Sequence, residues 1–284
     1  MKKIGIVGAG IMGNGIAQVF ATAGFSVILC DVDSAALARA TKTIQSSLTK
    51  LVTKEKISTA EVQTILGRIT PTTKLEDLKS VDVAIEAASE NLDLKIKIFR
   101  ELDATVQASA ILATNTSSIS ITKLAGITNR HDKVIGMHFM NPVPLMSLVE
   151  IILGKETSPQ THQTTMELIS QLKKTPITAK DRAGFVINRI LGPMLNEAIT
   201  ALHEDLASAK DIDLGMKLGC NFPMGPLELA DFIGLDTLLA ILEVMQKDLN
   251  DPKFAPSPLL REHVAAGRLG RKSGKGFYSY DTVS

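Results

Sequence analysis

Cysteine is scarce in this chain, and neither sign of charge is in excess. The two cysteines, Cys30 and Cys220, lie far apart and belong to no C-x-x-C pair or Cys/His cluster. That excludes a disulfide framework and a zinc site, and it fits a reducing, cytoplasmic setting. A net charge of +1 gives no bulk electrostatic reason to expect nucleic acid or a membrane surface as partner. Any anion must therefore be recognised locally. There is no repeat at solenoid period and no low-complexity linker. Lys2 and Lys3 precede residues 4–30, which carry no charged side chain, a layout that superficially matches a secretory signal or a membrane span. The glycines in it, with Asn14 and Gln18, make a poor continuous apolar helix, and no later stretch approaches a span.

What is present is a globular composition, 45% hydrophobic and 21% charged, over 284 residues, enough for one large or two ordinary domains. Residues 4–15 read IGIVGAGIMGNG, a short apolar run that breaks into glycines and continues as a helix-compatible stretch. This is the dinucleotide-binding fingerprint. Gly8 permits the tight strand-to-helix turn, Gly10 lets backbone approach a pyrophosphate, and Gly13 lets the new helix sit close on the strand. Ile11 and Met12, between them, open the helix whose free N–H groups meet phosphate oxygens. The second apolar run, Ser26 to Cys30, ends at Asp31, near the offset at which an acid binds the adenosine ribose hydroxyls. A carboxylate there repels a 2′-phosphate, and no Arg or Lys follows within Asp31-Val32-Asp33-Ser34, so the expected cofactor is NAD.

Up to about residue 183 the pattern alternates strands and helices and predicts a mostly parallel sheet. Strands are expected at Lys3–Val7, Ser26–Cys30, Val81–Glu86, Ala110–Ala113, Lys133–Phe139 and Ser147–Ile152. A long helical excursion, about Ser34 to Leu66, reads as a projecting helix pair. After Asp181-Arg182-Ala183-Gly184 the strands stop. Ile187, Ile190, Leu191, Met194, Leu195, Ala198, Ile199 and Leu202 then recur at helical spacing and predict a wide apolar stripe. Ser208 to Asp211 reads as a capped helix start, and Pro226 after Gly225 suits a first turn. The expected fold is an α/β Rossmann-type N-terminal domain, residues 1–183, plus an all-α C-terminal domain, residues 184–284. The apolar surface of the second domain predicts a homodimer.

A nicotinamide enzyme that oxidises an alcohol needs a base for the hydroxyl proton, and histidine suits it. Among the five histidines, His131, His162, His203 and His263 have polar neighbours and read as solvated. His138 instead ends the apolar strand VIGMHF, before the stiff turn Asn141-Pro142-Val143-Pro144. Strand ends of this kind face the ligand crevice of an open α/β sheet. Glu150, on the next strand, would be costly to bury unless paired, and His138 could pair with it. A core histidine and an edge-strand glutamate would fit the same positions. Thr114 to Ser118 is a polar cluster at another strand end, for which ordinary turn chemistry is an equal explanation. Glu86, Glu90, Asn91 and Lys95 lie near the same edge. Ser47 and Lys54 share a helix face with Lys50, either as a solvated basic face or as a phosphate contact.

Over essentially its whole length the chain resembles the L-3-hydroxyacyl-CoA dehydrogenase family, and within it the bacterial members that act on 3-hydroxybutyryl-CoA. The resemblance is carried by GAGIMG at 8–13, EAASEN at 86–91, ATNTSSIS at 113–120, GMHFMNPVPLMSLVEII at 136–152, DRAGFVINRI at 181–190, NFPMGPLELADFIGLD at 221–236 and GKGFY at 274–278. It implies reversible, NAD-dependent oxidation of (3S)-3-hydroxyacyl-CoA in a cleft between the two domains. His138 is implied as the base and Glu150 as its carboxylate partner. Ser117 and Asn188 are implied to hold the reacting oxygen; periodicity gives no hint of Asn188. Asp31, Glu90, Lys95, Ser117, Asn141 and Lys275 are implied as NAD contacts, and Ser47 and Lys54 as acyl-CoA contacts. Two other readings share these residues: a CoA-independent hydroxy-acid dehydrogenase of the L-gulonate type, and a non-catalytic nucleotide-binding protein.

Overall fold

The computed structural model describes residues 2–280. The chain divides into two compact units, residues 1–182 and 183–284.

The first unit is built on an eight-stranded sheet. In chain order its elements are β1 (Lys3–Val7), α1 (Ile11–Thr22), β2 (Ser26–Cys30), α2 (Ser34–Thr53), α3 (Thr59–Leu66), β3 (Ile69–Thr72), β4 (Val83–Glu86), α4 (Leu92–Thr105), β5 (Ile111–Thr114), α5 (Ile121–Ala125), β6 (Val134–Phe139), β7 (Leu148–Leu153), α6 (Pro159–Gln171) and β8 (Thr175–Lys180). The strand order is β3-β2-β1-β4-β5-β6-β7-β8, with every neighbouring pair parallel except β6 and β7. Strand order reverses beside β1, so the glycine loop that follows β1 lies at the switch point where such sheets bind ligands.

The sequence pattern misses β3 and β8. These are the two edges of the sheet, and each contains a proline, Pro71 and Pro176. An edge strand needs only one row of hydrogen bonds and one partly buried face, so it tolerates proline and shows no apolar run. The central strands β4, β5 and β6 are buried throughout, which is why they read as continuous apolar segments.

The helix pair at 34–66 does not stand clear of this unit. Leu37, Ala40, Ile44 and Leu48 recur at steps of three and four and enter the same core as Ile4, Ile16, Phe20 and Leu29. Asp33 caps α2 through the Ala35 amide, and a reciprocal Ser58/Glu61 capping box starts α3.

The second unit is helical: α7 (Ile187–His203), α8 (Ala209–Gly219), α9 (Pro226–Ile233), α10 (Leu235–Leu249) and α11 (Pro258–Ala265). Leu195 and Ile199 of the predicted stripe are fully buried, packed in one core with Leu227, Leu238, Leu242 and Phe254. Ile190 is not part of that core: it stays 66% exposed. Gly192 lets α7 and α10 touch, since a Cβ there would meet Met245 Cε at 2.8 Å. The segment after α11 is tied down by two buried carboxylates. Asp231 accepts the amides of Phe277 and Tyr278 and the Tyr280 hydroxyl. Asp213 accepts the Tyr278 hydroxyl and the first amides of α9. The second glycine of GKGFY follows from this, because a Cβ on Gly276 would overlap Asp231 Oδ1 at 1.9 Å.

Candidate active site

Each glycine of the first loop has a different physical reason. Gly8 takes φ +105, and a Cβ there would meet the Ala87 carbonyl oxygen at 2.6 Å. Gly13 packs so tightly that a Cβ would lie 1.7 Å from the Gly8 carbonyl oxygen. Gly10 needs neither excuse: its φ is −68, and a Cβ would have nothing within 4 Å. Neither conformation nor internal packing demands glycine there, which leaves the close approach of a ligand. Gly10 also begins α1 without a side-chain cap and with no acid in the first turn, so the amides around Ile11 and Met12 suit a pyrophosphate. Asp31 frames the same loop, accepting the Ala9 amide at 2.7 Å and the Asp33 amide at 2.9 Å. Each carboxylate oxygen keeps a second lone pair for a ribose hydroxyl. These residues fit a dinucleotide.

Beside the loop lies a buried ionic network. Lys95, 1% exposed, donates to both oxygens of Glu86 at 2.7 and 2.8 Å, and Thr114 donates to Glu86 Oε2 at 2.7 Å. Lys95 is therefore an internal cation under the strand ends, not a surface one. It also reaches Glu90 at 3.5 Å. Glu90 gathers the turn after β5, accepting from the Thr116 and Ser118 hydroxyls and from the amides of Ser117 and Ser118. Burial pushes the Glu90 pKa up, but the Thr116 and Ser118 hydroxyls, the Lys95 charge and the Ser117 amide outweigh it and hold it below the usual carboxylate range. One turn thus presents Ser117 partly exposed, while Asn115 ties that turn to β6 by accepting the Phe139 amide at 2.9 Å.

The antiparallel pairing of β6 and β7 puts His138 directly opposite Glu150. Nδ1 of His138 lies 2.7 Å from Glu150 Oε2, with Glu150 fully buried and His138 9% exposed. A buried carboxylate at that distance selects the tautomer with the proton on Nδ1. The loop from β6 to β7 carries Asn141, exposed, and a cis Asn141–Pro142 bond. It forms one wall of a cavity of about 630 Å³, and Ser47, Lys50 and Lys54 of the α2 face form another, with Ile11 and Asn14 at the start of α1. The predicted basic face is thus gathered with Asn141 and the glycine-loop helix.

Against known sequences, residues 3–182 match the NAD binding domain of 3-hydroxyacyl-CoA dehydrogenase, and residues 184–280 match its C-terminal domain. The chain belongs to the 3-hydroxyacyl-CoA dehydrogenase family. It is 53% identical over 278 residues to a probable 3-hydroxybutyryl-CoA dehydrogenase of Deinococcus radiodurans, covering 98% of this chain and all of that one. It is 50% identical to the 3-hydroxybutyryl-CoA dehydrogenase of Bradyrhizobium diazoefficiens, over 99% of this chain and 96% of the relative. The crystal structure of (S)-3-hydroxybutyryl-CoA dehydrogenase from Ralstonia eutropha superposes with a TM-score of 0.97 at 54% identity, covering 99% of this chain and 100% of that one.

Two residues that the resemblance to this dehydrogenase family implies belong to the second unit. Asn188 stands in the first turn of α7, half-buried. Lys275 is exposed, its carbonyl accepting the Gly270 amide at 2.9 Å. The segment around it is therefore fixed and is no flexible basic tail. His263 departs from the expectation of a solvated ring: it lies 4.6 Å from the Phe277 ring, and its Nδ1 is buried without a hydrogen-bond partner among the described residues. Burial holds its pKa below the ordinary histidine value. The fastening roles of Asn115 and Asp31 leave no sequence signal, because each depends on which strand ends become neighbours.

Proposed function

We propose that the chain catalyses the reversible, NAD-dependent oxidation of (3S)-3-hydroxyacyl-CoA to 3-ketoacyl-CoA, with 3-hydroxybutyryl-CoA and acetoacetyl-CoA as the substrate pair. The observation that carries this reading is the buried cross-strand pair of His138 and Glu150, 2.7 Å apart. It is supported by the identity of half the chain with proteins named 3-hydroxybutyryl-CoA dehydrogenase.

Bound NAD supplies the hydride acceptor for C3, and in its reduced form the donor for the reverse reaction. Nδ1–H of His138 donates to Glu150, so Nε2 carries the lone pair and takes the hydroxyl proton of the substrate. Glu150 holds the ring in that tautomer and stabilises the imidazolium that forms. In the reverse direction Nε2 returns the proton to the carbonyl oxygen. Ser117 and Asn188 hydrogen-bond the reacting oxygen. Gly8, Gly10, Ile11, Met12 and Gly13 receive the pyrophosphate, and Asp31 the adenosine ribose. Glu90, Asn141 and Lys275 complete the cofactor contacts, while Lys95 acts from below by holding Glu90. Ser47 and Lys54 bind the CoA portion, to which Lys50 adds positive charge.

The enzyme works as a homodimer through its helical unit, where Ile190, Leu206, Leu218 and Phe232 remain more than half exposed. Light scattering on a size-exclusion column tests this, and a monomer at micromolar concentration refutes it. A cytoplasmic setting is supported by two free cysteines.

The function is tested by following NADH and NADPH oxidation with acetoacetyl-CoA, free acetoacetate and L-gulonate. Turnover of acetoacetyl-CoA with NADH is expected, and His138→Ala should lower kcat by roughly two to four decades. Preference for L-gulonate, for NADPH, or near-normal turnover without His138 overturns the reading.

A further inference from the structure

Lys174, just before β8, is a buried lysine with no carboxylate paired to it among the described residues. It is 9% exposed, and its ammonium donates to the backbone carbonyls of Val143 and Met146, each at 2.6 Å. Burial pushes its pKa below the ordinary lysine value. An apolar residue would fill the same space without that cost. The charge therefore has to be explained by what it holds.

It holds the tip between β6 and β7 at its middle, Val143, and near its β7 end, Met146. That tip has little packing of its own, since Leu145 is 75% and Met146 42% exposed. Within it, the Pro142 carbonyl accepts the amides of Leu145 and Met146 at 3.0 Å. It is fixed to the sheet and helices through Val143, Ser147 and the Lys174 ammonium. Val143 packs against α1, where a Cβ on Gly15 would meet it at 2.8 Å. The Thr175 amide bonds the Ser147 carbonyl at 2.7 Å. The third is the pair of hydrogen bonds that the Lys174 ammonium donates, which are charge-assisted and so stronger than the amide bond. Residues 141–145 of this tip line the cavity shared with Ser47, Lys50 and Lys54.

We infer that Lys174 is a positioning residue for the reaction: its ammonium holds residues 141–147 in place as the wall of the cavity that receives the acyl-CoA. The inference rests on the proposed function for the identity of the substrate, and on geometry alone for the clamp. Lys174 itself does not line that cavity. Its loss leaves His138 and Glu150 paired across their strands and loosens only the wall that follows them.

The test compares wild type with Lys174→Met, which keeps length and removes the charge, and Lys174→Arg, which restores two donors. KM for acetoacetyl-CoA should rise about tenfold in Lys174→Met with kcat within about threefold, the signature of lost binding rather than lost chemistry. Lys174→Arg should return KM most of the way. Hydrogen exchange gives a second readout that needs no activity: amides of 141–147 should exchange faster in Lys174→Met, while those of β6 keep their protection. Wild-type KM and wild-type exchange in Lys174→Met overturn the clamp. So does a fall in kcat alone with exchange raised throughout the sheet, which marks a general structural role. Should Lys174→Met not fold, Lys174→Gln retains one donor and must show the same split at smaller size, and wild-type KM in that variant overturns the inference. Failure of wild type to reduce acetoacetyl-CoA sinks the functional reading instead, and the exchange comparison still decides the clamp.

Discussion

Replacing Glu150 by glutamine separates the charge of the His138 partner from its shape. The side chains are nearly equal in volume, and the glutamine carbonyl can still accept the Nδ1 proton at the 2.7 Å now spanned by the carboxylate. The neutral ring keeps its orientation, but the imidazolium formed when His138 takes the substrate proton loses its counter-charge. Glu150 is fully buried and His138 9% exposed, so solvent does little to screen the pair. With charge centres about 4 Å apart and an effective dielectric of about 20, the attraction is about 4 kcal/mol. All of it arises on the way to the transition state, which sets a ceiling of about three decades on the loss in kcat. Glu150→Gln should therefore lower kcat for the oxidation of 3-hydroxybutyryl-CoA by about a hundredfold to a thousandfold, with KM changed less than about threefold. Steady-state kinetics with NAD reads this out, and far-UV circular dichroism checks that the variant is folded. A folded Glu150→Gln enzyme with kcat within about threefold of wild type would show that the buried carboxylate does not stabilise the reacting histidine.

Other consequences can be checked as directly. Gly10→Ala should stay within about 1 kcal/mol of wild-type stability and weaken NADH binding about tenfold or more, because its methyl enters open space where a pyrophosphate approaches. Gly13→Ala should instead lose at least about 2 kcal/mol in urea unfolding, since its methyl overlaps the Gly8 carbonyl. Asp103 pairs with the buried Arg130 at 2.6 Å, and burial, which pushes its pKa up, is outweighed by the Asn129 amide and the guanidinium, which hold it below the usual value. A lowered folded pKa stabilises above the unfolded value and is lost as pH falls. Asp103→Asn should thus cost about 3 kcal/mol at pH 7, a gap that closes on acidification below about pH 4, read from urea midpoints. Tyr278→Phe, which removes the hydroxyl bonded to Asp213 at 2.7 Å, should destabilise the helical unit by about 1–3 kcal/mol in the same assay.

Much of the site was readable in the chain because its chemistry is local. The glycine spacing and Asp31 depend on one strand-turn-helix and the next strand, so they survive as a linear pattern. His138 was legible as a polar residue ending an apolar strand, and Glu150 as a carboxylate inside one. Lys95 was harder: the sequence placed it near the crevice edge, but its pairing with buried Glu86 arises only because α4 returns across β4. His263 turned out half-buried with its Nδ1 covered for a similar reason, since Phe277 comes from a segment with no regular periodicity.

By itself the sequence determined the class of each half of the chain and the nucleotide loop, because hydrophobic period and glycine placement act over a few residues. The family motifs determined the rest of the candidate residues, down to Asn188. Tertiary structure decided what those residues do to one another. Antiparallel pairing of β6 with β7, in a sheet otherwise parallel between neighbours, set His138 opposite Glu150; a slip of one residue would have turned them to opposite faces. The edge strands β3 and β8, invisible through their prolines, closed the sheet and brought Lys174 beneath the loop that follows β6. Such pairings join residues distant in the chain, and no local pattern encodes a register between strands.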